Sequence, residues 1–135
     1  MDKKYLKKII AQSPEDLQII SACCSEAKVK TSNIKYLPSA KIFLLSLSRL
    51  DKEQENNKKK INSIIKFEFV ESTKSKNIDQ KNPELVLELL AIDIYKKNYD
   101  FQITLLFSKN RIITLNAEVI EVTLEDQKVL DDKNL

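Results

Sequence analysis

In 135 residues, 23 lysines and arginines face 20 acids for a net charge of +3, and neither glycine nor histidine occurs. Without glycine there is no Gly-rich phosphate loop, because close backbone approach to a phosphate needs a residue lacking Cβ. Without histidine the commonest general base, metal ligand and physiological pH switch are missing, while the length fits one domain, expected over 1–135, with no need of a metal or disulfide staple.

The first twenty residues contain no unbroken apolar stretch, so no signal peptide is expected. No run reaches the length of a membrane span. Weak alternation from Tyr5 to Ala11 suggests a first strand. "SPEDLQIISACCSEA" is the one clear helix, over 14–26. Ser13 is a good N-cap, Pro14 suits the first helical position, and Glu15 and Asp16 favour the positive helix end. Leu17, Ile20, Cys24 and Ala27 recur at helical spacing, with Ile19 and Cys23 widening the stripe, so one face packs on a sheet.

Cys23 and Cys24 are the only cysteines and are adjacent, so they cannot join distant segments. A metal would need further Cys or His ligands, and a reactive thiol would want a helix N-terminus. Core filling in a reduced, cytoplasmic protein is the expected role.

"IKYLPSAKIFLLSLSRL" reads as a hairpin. A four-residue loop from Pro38 to Lys41 pairs Tyr36 with Phe43 and Ile34 with Leu45, all apolar on one face. The polar stretch 51–60 is expected to be a mobile loop. Ile61, Ser63, Ile65, Phe67 and Phe69 share a parity and predict a half-buried strand. "STKSKNIDQKNPE" reads as a loop. "LVLELLAIDIY" is apolar on both parities: a central strand fits, and residues 84–95 also fit a helix.

"FQITLLFSKNRIITLNAEV" predicts a second hairpin. A three-residue loop Lys109–Arg111 pairs Phe107 with Ile113, Leu105 with Leu115, Ile103 with Ala117 and Phe101 with Val119. Asn110 is the natural left-handed residue of that loop. After Val119 the apolar parity flips to Ile120, Val122 and Leu124, which predicts a bulge or bend. Residues 127–135 read as a frayed tail or a short helical turn.

These elements make an α+β fold: a mostly antiparallel sheet of about six or seven strands packed on one N-terminal helix. An open sheet and a partly closed barrel both satisfy the pattern.

The short motifs "ISA", "YLP", "FLLSLSR", "NID", "LLAI" and "ITLLF…IITLNAEVIEV" occur in an order that resembles an alphaproteobacterial family, domain of unknown function 2948, from about Leu6 to Asp126. "LSRLDKE" is similar to that family's strand-end pattern Asn-Arg-Phe-Asp-Trp-Glu, with Leu50 in place of Phe and Lys52 in place of Trp. Where relatives place Gly at turns, this chain has Lys, Asn or Ser. The resemblance implies a small cytosolic bacterial protein and supplies no catalytic residue.

Four residues stand out as a candidate binding edge: Arg49, Asp51, Asp79 and Asp93. The first three lie where the resembled family carries similar residues, and an ion pair among them at one end of the sheet is one arrangement. Asp93 interrupts an apolar strand, so a raised-pKa carboxylate and a solvent-facing one are its two readings. No nucleophile accompanies it. No catalytic residue, cofactor or metal is therefore assigned.

Charge is uneven: six acids and two lysines in 118–135 leave the end negative and the remainder basic. Lys3, Lys4, Lys7, Lys8, Lys58, Lys59, Lys60, Lys74 and Lys76 raise the possibility of RNA binding through basic loops. Lys is a poorer fork for phosphate than Arg, and no RNP-type aromatic motif is present. The expected function is thus a non-enzymatic interaction or accessory module with a protein partner. RNA binding is the alternative, and a small-ligand binder or enzyme with a carboxylate or Lys site is the third reading.

Overall fold

The computed structural model describes residues 6–51 and 59–130. They form ten strands and one α-helix: β1 (Lys8–Ala11), α1 (Pro14–Cys23), β2 (Ala27–Lys30), β3 (Ile34–Leu37), β4 (Ile42–Leu50), β5 (Lys60–Phe67), β6 (Val70–Lys76), β7 (Val86–Lys97), β8 (Asp100–Phe107), β9 (Arg111–Ala117) and β10 (Val122–Leu130). A 3₁₀ turn, Thr31–Asn33, precedes β3. The expected class holds, with more strands than the six or seven expected.

All strand pairs are antiparallel, in the order β1-β10-β5-β4-β2-β7-β8-β9-β6, and β3 pairs with β4 beside β2. β2 joins the two halves: it meets β4 only at Lys28↔Ser48 but runs along β7 from Ala27↔Leu89 to Lys30↔Val86. The sheet is not closed, since β1 and β6 are its end strands.

Strict alternation builds the core. Phe43, Leu45 and Leu47 of β4, Ile65 and Phe67 of β5, and Leu105, Phe107, Ile113 and Leu115 of the β8–β9 hairpin are buried in one cluster. Phe43 meets Phe67 edge-on with ring centroids 6.0 Å apart, and Tyr36 tilts against Phe43 at 6.5 Å. Both geometries suit the aromatic quadrupole.

Helix α1 starts as its sequence dictates. Ser13 is the N-cap, its Oγ accepts the Asp16 N–H at 3.1 Å, and Pro14 follows. Leu17, Ile20 and Cys24 are buried. The helix stops at Cys23, short of the expected 26, because the chain turns through Glu26 in a left-handed conformation and Ala27 opens β2. Ile19 faces solvent. Ser21 Oγ accepts the Ile92 N–H at 2.9 Å, tying the helix to β7.

The first hairpin has the expected register, Ile34↔Leu45 and Tyr36↔Phe43. The second differs: Phe107 pairs with Arg111, Leu105 with Ile113, Ile103 with Leu115 and Phe101 with Ala117. The faces are as expected, but each partner is displaced by two positions. Both Lys109 and Asn110 are left-handed, so the loop sits one residue earlier.

Of residues 84–95, for which a helix also fitted, 86–95 are strand within β7 and 84–85 precede it. The segment expected as a loop after Glu71 instead carries most of β6, an edge strand paired with β9. Phe69 does not continue the interior row of β5; it is exposed in the turn before β6. The predicted bend after Val119 is present, and Ile120, Val122 and Leu124 are buried. Residues 127–130 of the expected tail belong to β10. Most of the expected 51–60 loop, and residues 131–135, lie outside the described residues.

Candidate functional site

Three polar residues occupy interior positions on adjacent strands. Arg49 follows Leu45 and Leu47 inward on β4, Ser63 sits between Ile61 and Ile65 on β5, and Asp126 follows Val122 and Leu124 on β10. Arg49 grips Asp126 with two parallel bonds, Nε to Oδ1 at 3.0 Å and Nη2 to Oδ2 at 2.6 Å. Ser63 Oγ donates to Oδ1 at 2.6 Å and the Lys7 N–H donates to Oδ2 at 2.8 Å. The Asp126 N–H returns a bond to the Lys7 carbonyl at 2.9 Å, which anchors the chain entering β1.

Burial pushes the Asp126 carboxyl up, but the hydrogen bonds from Arg49, Ser63 and Lys7 and the guanidinium charge together outweigh it and hold the carboxyl below its usual range. Burial likewise opposes the Arg49 charge, and Asp126 more than restores it. Cys24 and Cys23, at the end of α1, lie within electrostatic reach of the guanidinium. The four-sided saturation of Asp126 leaves it no proton to donate near neutral pH. This cluster clips β4, β5, β10 and the start of β1 together.

Arg49 therefore takes Asp126 as its ion partner. Asp51 is buried beside it in sequence, and its N–H bonds the Lys59 carbonyl at 2.9 Å. Asp79 is exposed and accepts the Lys81 N–H at 3.0 Å, a local Asx turn. Asp93 is exposed on β7 opposite Thr104. The structure brings Arg49 together with Ser63 and Asp126, and places Asp79 and Asp93 on the surface. Ser63, read only as part of its strand's row, and Asp126 were not singled out in the sequence as site residues, although each follows or interrupts a row of buried apolar ones.

The second feature is a cleft of about 420 Å³ between β3 and β6. Each of these strands has a partner on one side only, β4 and β9 respectively. Ile34, Tyr36, Phe43 and Ile113 give it an apolar floor, and Thr73 and Ser75 project from β6 at its edge. One end is closed by Tyr36, whose hydroxyl donates to the Val70 carbonyl at 2.9 Å. The other end is closed by the segment after β6: the Ser32 N–H bonds the Pro83 carbonyl at 3.2 Å and Thr31 Oγ1 bonds the Asn82 carbonyl at 2.8 Å.

The third feature is an exposed apolar rim. Phe101, Ala117 and Val70 lie in one row across β8, β9 and β6. Three strands span roughly 10 Å at ordinary sheet spacing. Just past that row come Tyr99, Val119 and Phe69, all exposed, with Tyr99 94% accessible. The Glu118 N–H bonds the Phe69 carbonyl at 3.1 Å, and the Val70 N–H bonds the Lys41 carbonyl at 2.9 Å, which draws the β3–β4 turn and exposed Leu37 to the same place. Lys41 also reaches Glu71 at 2.9 Å and Glu118 at 3.5 Å. Phe69 has φ 60°, an uncommon conformation for a bulky residue.

Several lysines are already paired: Lys28 with Glu88 and Lys30 with Glu84, besides Lys41. Among the described residues no group of His, Cys, Asp and Glu is arranged to hold a metal ion. No helix among them is long and apolar enough to cross a membrane.

Residues 7–132 match the family model for "Protein of unknown function (DUF2948)". No curated protein matches the sequence. Among solved structures, an uncharacterized protein from Neisseria gonorrhoeae is similar at 18% identity and a TM-score of 0.45, over 86% of this chain and 96% of that one.

Proposed function

The chain belongs to the family of proteins of unknown function numbered 2948, and from that premise we propose that it is a non-enzymatic interaction module that docks a protein partner on the rim of Leu37, Phe69, Tyr99 and Val119. One observation carries the reading: four large apolar side chains are exposed around a single end of the β8–β9–β6 sheet. Scattered exposed apolar residues are ordinary, whereas neighbouring ones mark a contact surface. Phe69 adds to this, since a left-handed backbone at a bulky residue is retained against a cost of about 1–3 kcal/mol.

The chemistry of the clip supports a scaffold rather than a catalyst: its one buried carboxylate is saturated by donors. The cytoplasm is the compartment this reading assumes, in keeping with the free thiols of Cys23 and Cys24.

The test is a photo-cross-linking residue at position 99 in native cells. A discrete protein adduct is expected, and Phe69→Asp should abolish it. Labelling of RNA instead of protein, or an adduct indifferent to Phe69→Asp and Val119→Asp, would refute the proposal.

A further inference from the structure

We infer that the cleft between β3 and β6 is a small-molecule site, selective for an uncharged, largely apolar ligand that carries a hydroxyl or carbonyl group. This is independent of the rim and of any partner docked there.

Three observations lead to it. The cleft has the volume of a ligand pocket, about 420 Å³. Its two closed ends leave no exit for a through-running strand: Tyr36 Oη meets Val70 at one, and Thr31 and Ser32 meet Asn82 and Pro83 at the other. A compact molecule fits between these two bridges, and an added polypeptide strand does not.

The third observation fixes the ligand's charge. In a chain that is 32% charged, none of the eleven residues lining the cleft is Asp, Glu, Lys or Arg. A carboxylate, phosphate or ammonium entering there would lose water and gain no counter-ion, a strongly unfavourable exchange. Apolar surface would instead settle over Phe43 and Ile113.

Polar groups remain to orient it. Tyr36, Thr31 and the Ser75–Gln80 pair are occupied by bonds within the protein, the last at 2.8 Å. The hydroxyls of Thr73 and Ser32 make no side-chain hydrogen bond among the described residues and line the same space. Each can donate to or accept from a hydroxyl or carbonyl on the ligand.

A matched set separates charge from shape: 2-naphthol, 2-naphthoate and 2-naphthylmethylammonium, titrated into the whole protein and followed by amide chemical shifts. The neutral naphthol should saturate, with shifts centred on Thr73, Ser75 and Ile113. Both ions should bind at least ~10-fold more weakly, given the cost of burying an unpaired charge. Thr73→Lys should weaken the naphthol and strengthen the naphthoate; Ser75→Lys, at a more exposed position, is the companion variant in case the first does not fold. Equal affinity for all three, no saturable binding of the naphthol, or shifts confined to Phe69 and Tyr99 would overturn the assignment.

Discussion

Arg49 and Asp126 meet as a planar, two-bonded pair in the interior, their side chains 2% and 0% accessible, although 77 positions separate them in sequence. That pair fixes β4 against the far strand β10 across β5, and Ser63 on β5 completes it. Much of the scaffold's behaviour follows from so much polarity being enclosed and fully partnered.

Removing one member should therefore be costly. Arg49→Met or Asp126→Leu alone strands a buried charge and is expected to lower unfolding free energy by about 3–5 kcal/mol. The double variant should recover a large share, because no charge is left unpaired. Urea unfolding of the three proteins checks this; a double variant as unstable as the worse single one would show that the pair cannot be replaced by apolar packing.

The pair also sets a pH dependence. The Asp126 carboxyl is held lower in the folded protein than in the unfolded chain, whose value is about 3.9. Its contribution is thus complete above that value and is lost as the pH falls through the lower, folded one. Arg49 is shifted up, so its contribution persists throughout the neutral range. Urea midpoints followed from pH 7 down to pH 2 should fall mainly below about pH 4 for the natural protein, and less steeply for Asp126→Asn.

Among the described residues, Ser13 supplies the one side-chain bond to the open N–H groups at the start of α1. Ser13→Ala should cost about 1 kcal/mol, and Ser13→Asp should be close to neutral. Thermal unfolding distinguishes the two.

At the closed end of the cleft, Tyr36→Phe deletes the hydroxyl that bonds the Val70 carbonyl and keeps the ring against Phe43. A loss of about 1 kcal/mol is expected. Faster amide exchange in β6 than in β9 would accompany it, because β6 has a neighbour on one side only.

Alternation made most of the fold readable in the sequence, because one slip would move a whole apolar row into water. Hence β3–β4, β5, β8 and β9 appear where expected, and the cap at Ser13 marks α1. The same logic could not place the β8–β9 register. Shifting every partner by two keeps Ile103, Leu105 and Phe107 facing inward, so only the turn decides, and Lys109 joined Asn110 in the left-handed region. β6 was hidden because "ESTKSK" lacks an apolar row: it is an edge strand, bounded by solvent and the cleft. β2 went unassigned apart from Ala27, which was counted in the helix stripe, since four residues give too short a pattern.

The candidate residues divide the same way. Arg49 and Asp51 are buried, whereas Asp79 and Asp93 are exposed. The decisive partner, Asp126, lies on another strand far along the chain, and pairing of distant charges leaves no local pattern. The cleft and the rim arise from strands meeting in space and have no contiguous sequence signature.

At Phe69 the backbone and the side chain pull in opposite directions. With φ 60° and 45% exposure, Phe69→Gly should relieve strain at little packing cost. If the rim exists to dock a protein partner, this variant will hold or gain stability in urea while losing the adduct formed at position 99. An undiminished adduct, or loss of stability and adduct together, would rule out docking through this rim.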